Sequence, residues 1–412
     1  MKYILLISDG MADRPLSQLG GKTPMETADK PNMNSLAQNA ELGTVVNCPE
    51  GLPAGSDTAI LTIFGCDPLK YYFGRAPLEA AAQGVTVPEG AMAFRCNMAC
   101  VEVLPDGTKV MKSHSAGGID GASARSLITD LINDPIFADA LANAGVTVYP
   151  TDSYRHIAVQ SISRPEDSRI EMFAPHDNLG KPLSEILPKG GENAAVLSNL
   201  VELSISILSE HPLNKRRVAE GKLPANCVWP WAQGTAANLP SFMERYGKTG
   251  AIISAVPLCQ GIGILQGLEV IKVPGATGEL DTNYEGKAAA ALDALNRGLD
   301  FAAIHVEAPD ECTHNGDVPG KIKAIENIDA RVLKPILDGL TGQDFRILVL
   351  SDHYTLSESG AHDAYPVPYL IYDSRMPIRN GNISVFTELT AASTGISQES
   401  GVVLMDKLFQ II

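Results

Sequence analysis

The sequence predicts an α/β fold, a mostly parallel sheet with flanking helices, with a smaller α+β domain inserted into it. Short β-rich apolar runs alternate with longer helical patterns near both ends of the chain, which is how α/β layers read in sequence. Three of the strand-like runs lead into an aspartate, as expected where parallel strands deliver their carboxyl ends to one ligand-binding edge. The middle of the chain has a different texture, built of a hairpin and short strands around a helix.

Taken in order, the first strand is Tyr3 to Ile7, and a helix starts at Pro31, where proline suits the first turn, and runs through Asn39. Phe94 to Leu104 and Thr108 to Lys112 flank Pro105-Asp106-Gly107, a hairpin around a turn. A helix is expected from about Gly121 to Asn143, with strands at Ile157 to Ile162 and Arg169 to Phe173. A helix from about Asn193 to His211 is expected to return to the main body. These readings place the main α/β domain at 1–85 and 191–412 and the inserted domain at 86–190, with hinges near 85 and 190. Alternation then resumes: strand Phe301 to Val306, helical pattern Val318 to Leu340, strand Phe345 to Leu350 and strand Pro368 to Tyr372.

Composition narrows the function. With 412 residues, 45% of them hydrophobic, the chain can bury a sizeable core. Acids outnumber bases 48 to 32, a formal net charge of −16, which disfavours nucleic acid and anionic membranes as partners. No apolar run approaches the ~20 residues of a membrane span. The opening Met1-Lys2-Tyr3-Ile4-Leu5-Leu6-Ile7-Ser8-Asp9 is too short and too soon acidic for a signal peptide. Seven cysteines, an odd number with no C-x-x-C pair, make no disulfide framework. The expectation is a soluble cytoplasmic protein of open oligomeric state.

The chemistry sits at strand ends. The first strand leads to Asp9, the run 303–309 to Asp310, and the run 347–351 to Asp352. Three acids on one edge repel unless a cation lies among them, so a divalent metal is the simplest resolution. Histidines occur at matching places: Asp310-Glu311-Cys312-Thr313-His314 is D-x-x-x-H, Asp352-His353 is a direct pair, and His362 follows. Mixed Asp/His ligation suits Zn²⁺ or Mn²⁺, and paired ions are common in phosphoryl transfer. Each residue alone reads as readily as a cap or a satisfied polar group; it is the set that carries weight. In Pro53-Ala54-Gly55-Ser56-Asp57-Thr58-Ala59, Ser56 stands at a predicted helix start, either as an N-cap or as a nucleophile activated by a metal.

These residues resemble a known family. Asp9-Gly10-Met11-Ala12-Asp13-Arg14-Pro15, PAGSDTA at 53–59, IFGCDP at 63–68, GRAPLEA at 74–80, PDECTH at 309–314, SDH at 351–353 and GAH at 360–362 resemble the archaeal-type, cofactor-independent phosphoglycerate mutases of the alkaline phosphatase superfamily. The resemblance covers essentially the whole chain. It implies an alkaline phosphatase-like fold, a phosphoserine intermediate on Ser56, and two divalent metal ions, with Mn²⁺ first and Mg²⁺, Co²⁺ or Zn²⁺ as alternatives. Asp9, Asp352 and His353 match the ligands of the metal that also touches Ser56, and Asp310, His314 and His362 match the ligands of the second. The inserted domain would hold the substrate, a small phosphorylated metabolite.

The chain also departs from that pattern. Ser113-His114-Ser115-Ala116-Gly117-Gly118 stands where archaeal relatives tend to carry R-A-G-R, and Trp229-Pro230-Trp231-Ala232-Gln233-Gly234 where they carry Arg-Gly-x-Gly. A lysine-like position becomes Glu307, with Glu311 just beyond. Lost positive and added negative charge would favour a substrate bearing an ammonium group. A bacterial branch that looks similar at WPW, at Tyr154-Arg155-His156 and at VEAPDE has been proposed to act as homoserine kinases, so the alternative is an ATP-dependent amino-alcohol kinase at the same dimetal site. Candidate substrate-binding residues are Arg75, His114, Arg155, His156, Glu307 and Glu311. Lys287, Arg216 and Arg217 read as solvated charge, and the two tryptophans as core.

Overall fold

The strand Lys2–Ser8 is apolar at nearly every position, and the computed structural model buries it on both faces, in the interior of an eight-stranded sheet. The structure describes residues 1–162, 169–378 and 383–410. Across the sheet the order is Ser397–Gln398, Glu41–Val45, Val367–Asp373, Phe345–Leu350, Lys2–Ser8, Phe301–Val306, Gly250–Ile253 and Glu269–Val270. Only Val367–Asp373 runs against its neighbours; the remaining pairs are parallel. Strands covered on both faces are expected to be continuously hydrophobic, as these are. Ile4, Leu6, Ala302, Ile304, Ile347 and Val349 pack on one side into a core shared with the helices Tyr284–Asn296 and Val318–Asn327. Leu5, Ile7 and Leu348 alternate with them and are equally buried on the other side.

The chain divides into two compact units, Met1–Tyr72 with Asn238–Ile412, and Phe73–Ala237. The expected inserted domain therefore begins earlier and ends much later than 86–190. The helix Glu192–Ser209 explains the late boundary: it was expected to return to the main body, but its apolar stripe of Leu197, Val201, Ile205 and Leu208 packs inside the second unit. The strand Cys227–Thr235 belongs there too, pairing antiparallel with Ala91–Val103. That long strand also pairs with Arg155–Ser161 and, past a register shift at Cys100/Val101, with Lys109–Ser113, across the turn in which Gly107 takes φ 84°. Val146–Tyr149 completes the sheet.

Other differences have local causes. The helix expected over 121–143 is two helices, Gly121–Ile132 and Pro135–Asn143, because Asp134 caps the second and Pro135 cannot continue the first. Arg169–Phe173 forms no strand; Glu171 makes a single bridge to Lys189. Val318–Asn327 continues through a wider π turn, Ile328–Leu333, into Lys334–Gly339, where Pro335 lacks an N–H to give. Arg217 is buried, donating to the carbonyls of Leu223 and Ala116, and Lys287 is fully buried with Nζ donating to the His305 carbonyl at 2.9 Å. Neither is solvated surface charge.

Candidate active site

The parallel register sets the site. Ser8 pairs with Val306 and Ile7 with Leu350, so three adjacent strands end level and hand over to Asp9, to the helix carrying Asp310, and to Asp352. Gly10 makes the approach possible: it adopts φ 59°, and a side chain there would stand 2.7 Å from Asp310 Oδ1. Its N–H donates to Asp352 Oδ1 at 3.0 Å, as does that of His353 at 2.8 Å. Ala308–His314 places Asp310 and His314 one turn apart on one helix face. Ser56 opens the helix Ser56–Ile63.

All seven predicted nucleophile and metal-ligand residues come together within the first unit. Four side chains crowd about one point: His353 Nε2 lies 3.1 Å from Ser56 Oγ, 3.3 Å from Asp352 Oδ2 and 3.5 Å from Asp9 Oδ1, and Ser56 Oγ is 3.4 Å from Asp9 Oδ2. Beside them, His314 Nε2 is 3.1 Å from Asp310 Oδ2 and 3.0 Å from His362 Nε2, which is 3.3 Å from Asp310 Oδ1. Tetrahedral donors ~2.0–2.1 Å from an ion stand roughly 3.3–3.4 Å from one another, so both spacings suit a metal. Asp310 is close enough to belong to both sets, since Asp9, Asp310 and His353 also form a candidate ligand triad.

Electrostatics point the same way. Among the described residues, the buried carboxylate oxygens without a hydrogen-bond partner are Asp9 Oδ1 and Asp352 Oδ2. Such orphans are costly unless a cation completes them. Burial, then the charges of Asp352, Asp310 and Glu307, push the Asp9 carboxyl well above its ordinary range. Burial alone would raise Asp310 as well, but hydrogen bonds from His314 and His362 overcome it and hold that carboxyl well below. The donor set therefore fits divalent cations.

The substrate candidates are scattered by comparison. Glu307 caps the Asp310 helix and Glu311 follows on it, both partly buried in the first unit. Arg75, His114, Arg155 and His156 lie in the second. Arg75 Nε donates to Glu79 at 2.9 Å, and Glu79 also takes Arg95 Nε at 2.6 Å. His114 is half-buried, its ring 6.1 Å from Tyr154 and 6.0 Å from His176. Arg155 is exposed, with its guanidinium 5.0 Å from the Tyr154 ring centre. His156 is fully buried, its Nδ1 accepting from the Thr151 N–H at 3.1 Å, and burial holds it down to about 4. It is a packing residue rather than a pocket wall. Trp229 and Trp231 are core, as expected, with Trp231 Nε1 bonded to Asn97.

Sequence reasoning missed two residues that touch the cluster, Thr355 and His305, and a third, Ser254, that touches His305 from behind. Thr355 Oγ1 donates to Asp310 Oδ1 at 2.5 Å and lies 3.2 Å from His353 Nδ1. His305 Nε2 lies 2.9 Å from Asp9 Oδ2, and Ser254 Oγ 3.1 Å from His305 Nδ1. A lone histidine inside the otherwise apolar run 301–306 was the available signal.

Comparison with known proteins agrees with this geometry. A profile of the family described as 2,3-bisphosphoglycerate-independent phosphoglycerate mutase matches residues 37–214. A protein of that name from Methanothrix thermoacetophila is 44% identical over 406 residues, covering 97% of each chain. One from Geobacter sulfurreducens, named as a probable enzyme of this kind, is 43% identical over 410 residues, 99% of each. Among solved structures, a Pyrococcus horikoshii protein superposes with a TM-score of 0.79 at 31% identity, covering 99% of this chain and 97% of that one. The cofactor-independent phosphoglycerate mutase of Thermoplasma acidophilum gives 0.62 at 28%, covering 100% and 99%. With near-complete coverage at this level of identity, the chain belongs to the 2,3-bisphosphoglycerate-independent phosphoglycerate mutase family.

Proposed function

We propose that the chain interconverts 2- and 3-phosphoglycerate through a phosphorylated Ser56, without 2,3-bisphosphoglycerate. The observation that carries this reading is the convergence of Ser56 Oγ, at a helix start, with His353 Nε2 at 3.1 Å and Asp9 Oδ2 at 3.4 Å. Asp9, Asp352 and His353 would hold one divalent cation with Ser56, and Asp310, His314 and His362 the other. When bound, such ions lower the pKa of the serine hydroxyl and offset the charge of the phosphoryl group; Mn²⁺ is the first choice, with Mg²⁺, Co²⁺ and Zn²⁺ as alternatives.

The residues divide the work. Ser56 Oγ attacks phosphorus in line; the Oγ–P bond forms as the bond to the substrate oxygen breaks, and that oxygen takes up a proton. Backbone N–H groups in the first turn of Ser56–Ile63 suit the phosphoryl oxygens. The neighbouring glycerate hydroxyl then attacks phospho-Ser56, regenerating the serine with no net use of water. Arg75, His114 and Arg155 are the second unit's candidates to hold the glycerate while it is re-presented. None of the seven cysteines is in a disulfide and all are buried, which fits the reducing cytoplasm where we place the protein.

The sequence motivates a second reading: Glu307 and Glu311 stand three residues before and one after Asp310, negative charge that would suit a substrate bearing an ammonium group. Phosphorus NMR of the Mn²⁺-loaded chain separates the two. With 3-phosphoglycerate alone, a mutase forms 2-phosphoglycerate. Phosphohomoserine and ADP from ATP and homoserine, with 3-phosphoglycerate left unchanged, would replace the mutase by an amino-alcohol kinase.

A further inference from the structure

The register that aligns the strand ends also builds a line of contacts behind the metal cluster. His305 pairs with Ile7 in the neighbouring strand, two residues before Asp9, and Ile304 pairs with Ile253, immediately before Ser254. Because side chains alternate along a strand, Asp9, His305 and Ser254 share one face of the sheet. Both ring nitrogens of His305 are engaged, Nε2 with Asp9 Oδ2 at 2.9 Å and Nδ1 with Ser254 Oγ at 3.1 Å, and the ring is fully buried.

Hydrogen-bond accounting assigns the tautomer. Asp9 would be ionised as a metal ligand and would then only accept, so in the metal-loaded site Nε2 carries the proton; the neutral ring has no second one, so Nδ1 accepts from the Ser254 hydroxyl. Ser254 Oγ remains free to accept the Val256 N–H at 3.0 Å, which fixes the hydroxyl's direction. Asp9 Oδ2 is thereby occupied, while Oδ1 has no hydrogen-bond partner and stands 3.5 Å from His353 Nε2. Lys287 Nζ, on the His305 carbonyl at 2.9 Å, ties the same residue from its backbone side.

We infer that His305, oriented by Ser254, is a positioning residue that turns Asp9 so that Oδ1 faces the cation shared with Ser56. The inference rests on the metal assignment proposed above. His305 touches neither substrate nor the reacting atoms; it acts through Asp9, and loss of such an outer partner typically weakens metal binding about 10–100-fold.

The test is Mn²⁺ binding to the full-length chain, followed by titration calorimetry and by the electron paramagnetic signal of free Mn²⁺. His305→Leu is expected to weaken one of two sites about 10–100-fold and leave the site of Asp310, His314 and His362 unchanged. His305→Gln, which keeps an N–H toward Asp9, is expected to recover most of the loss, which a purely structural role does not predict. Ser254→Ala, the milder change if His305→Leu fails to fold, is expected to weaken the same site by a smaller factor. A folded His305→Leu or Ser254→Ala chain with two sites of unaltered affinity overturns the positioning role. An unmodified chain that binds no Mn²⁺ overturns the metal assignment itself.

Discussion

Asp9 in the first unit and Glu79 in the second are both deeply buried carboxylates, yet they are held in opposite ways. Burial and the neighbouring charges of Asp352 and Asp310 push Asp9 up, whereas at Glu79 the guanidinium charges of Arg95 and Arg75 overcome burial and bring the carboxyl down to about 2. Depth is therefore not what separates them. The second unit supplies its own cations, so the Glu79 cluster is complete as protein and reads as architecture. The first unit leaves Asp9 Oδ1 and Asp352 Oδ2 without a hydrogen-bond partner and with only the His353 ring beside them, so that edge suits divalent cations from outside the chain.

The sharpest way to break this comparison is to take away the nucleophile or the ions. Ser56→Ala, or exhaustive chelation of the unmodified chain, is expected to lower mutase turnover by at least about 10³-fold, with activity returning only to the chelated protein on adding Mn²⁺. Conversion of 3-phosphoglycerate followed by phosphorus NMR decides it. Turnover by Ser56→Ala within tenfold of the parent would remove the phosphoserine route.

Glu79→Gln attacks the other half. It strands the buried Arg95 charge and is expected to destabilise the chain by about 3–5 kcal/mol. Mn²⁺ affinity should stay unchanged under conditions where the protein remains folded. Urea unfolding with parallel Mn²⁺ titration checks both. Lost Mn²⁺ binding with intact stability would mean that the Glu79 cluster belongs to the site.

A third carboxylate tests the rule within the first unit. Glu388 accepts from the Asp13 N–H at 3.1 Å and from Thr23 Oγ1 at 2.9 Å, and burial pushes it up to about 7. An acid whose folded pKa lies above its unfolded value of about 4.3 binds more protons when folded. Its contribution is present below about pH 4 and is lost as pH rises through about 7, a change on the order of 4 kcal/mol at most. Unfolding free energy measured from pH 5 to 8 should fall, and Glu388→Gln should flatten that slope. An equal slope in both proteins would show that other groups set it.

How much of this could be read beforehand follows from what sequence spacing encodes. Asp9, Asp310, Asp352 and the D-x-x-x-H histidine were legible because strand ends and one helical turn fix where such residues point. The helix over 192–209 was legible as a helix, but its stripe of apolar residues says only that it packs, not on which sheet, so the boundary near 190 was misplaced. Lys287 lies on the apolar stripe of Tyr284, Ala288, Ala291 and Leu295, so periodicity pointed inward while charge pointed outward, and a carbonyl acceptor on the next strand decided it. His305 had no partner at a telling spacing; its role depends on pairing between strands separated by almost 300 residues in sequence.

The smallest expected effect concerns Arg155, which separates a binding surface from a folding one. Its guanidinium lies over the Tyr154 ring on an exposed face, with the His114 ring 6.1 Å from the same tyrosine. A surface cation–π contact contributes only about 0.5–1 kcal/mol, so Arg155→Ala should leave thermal stability nearly unchanged. If Arg155 meets the carboxylate or phosphate of the substrate, losing its fork of donors should raise KM by about tenfold while kcat holds, the pattern of an interaction made equally in ground and transition states. A fall in kcat with unchanged KM would place Arg155 in the transition state. Unchanged kinetics together with a lowered melting temperature would reduce it to a brace for Tyr154, and the second unit's grip on the substrate would then have to come from Arg75 and His114.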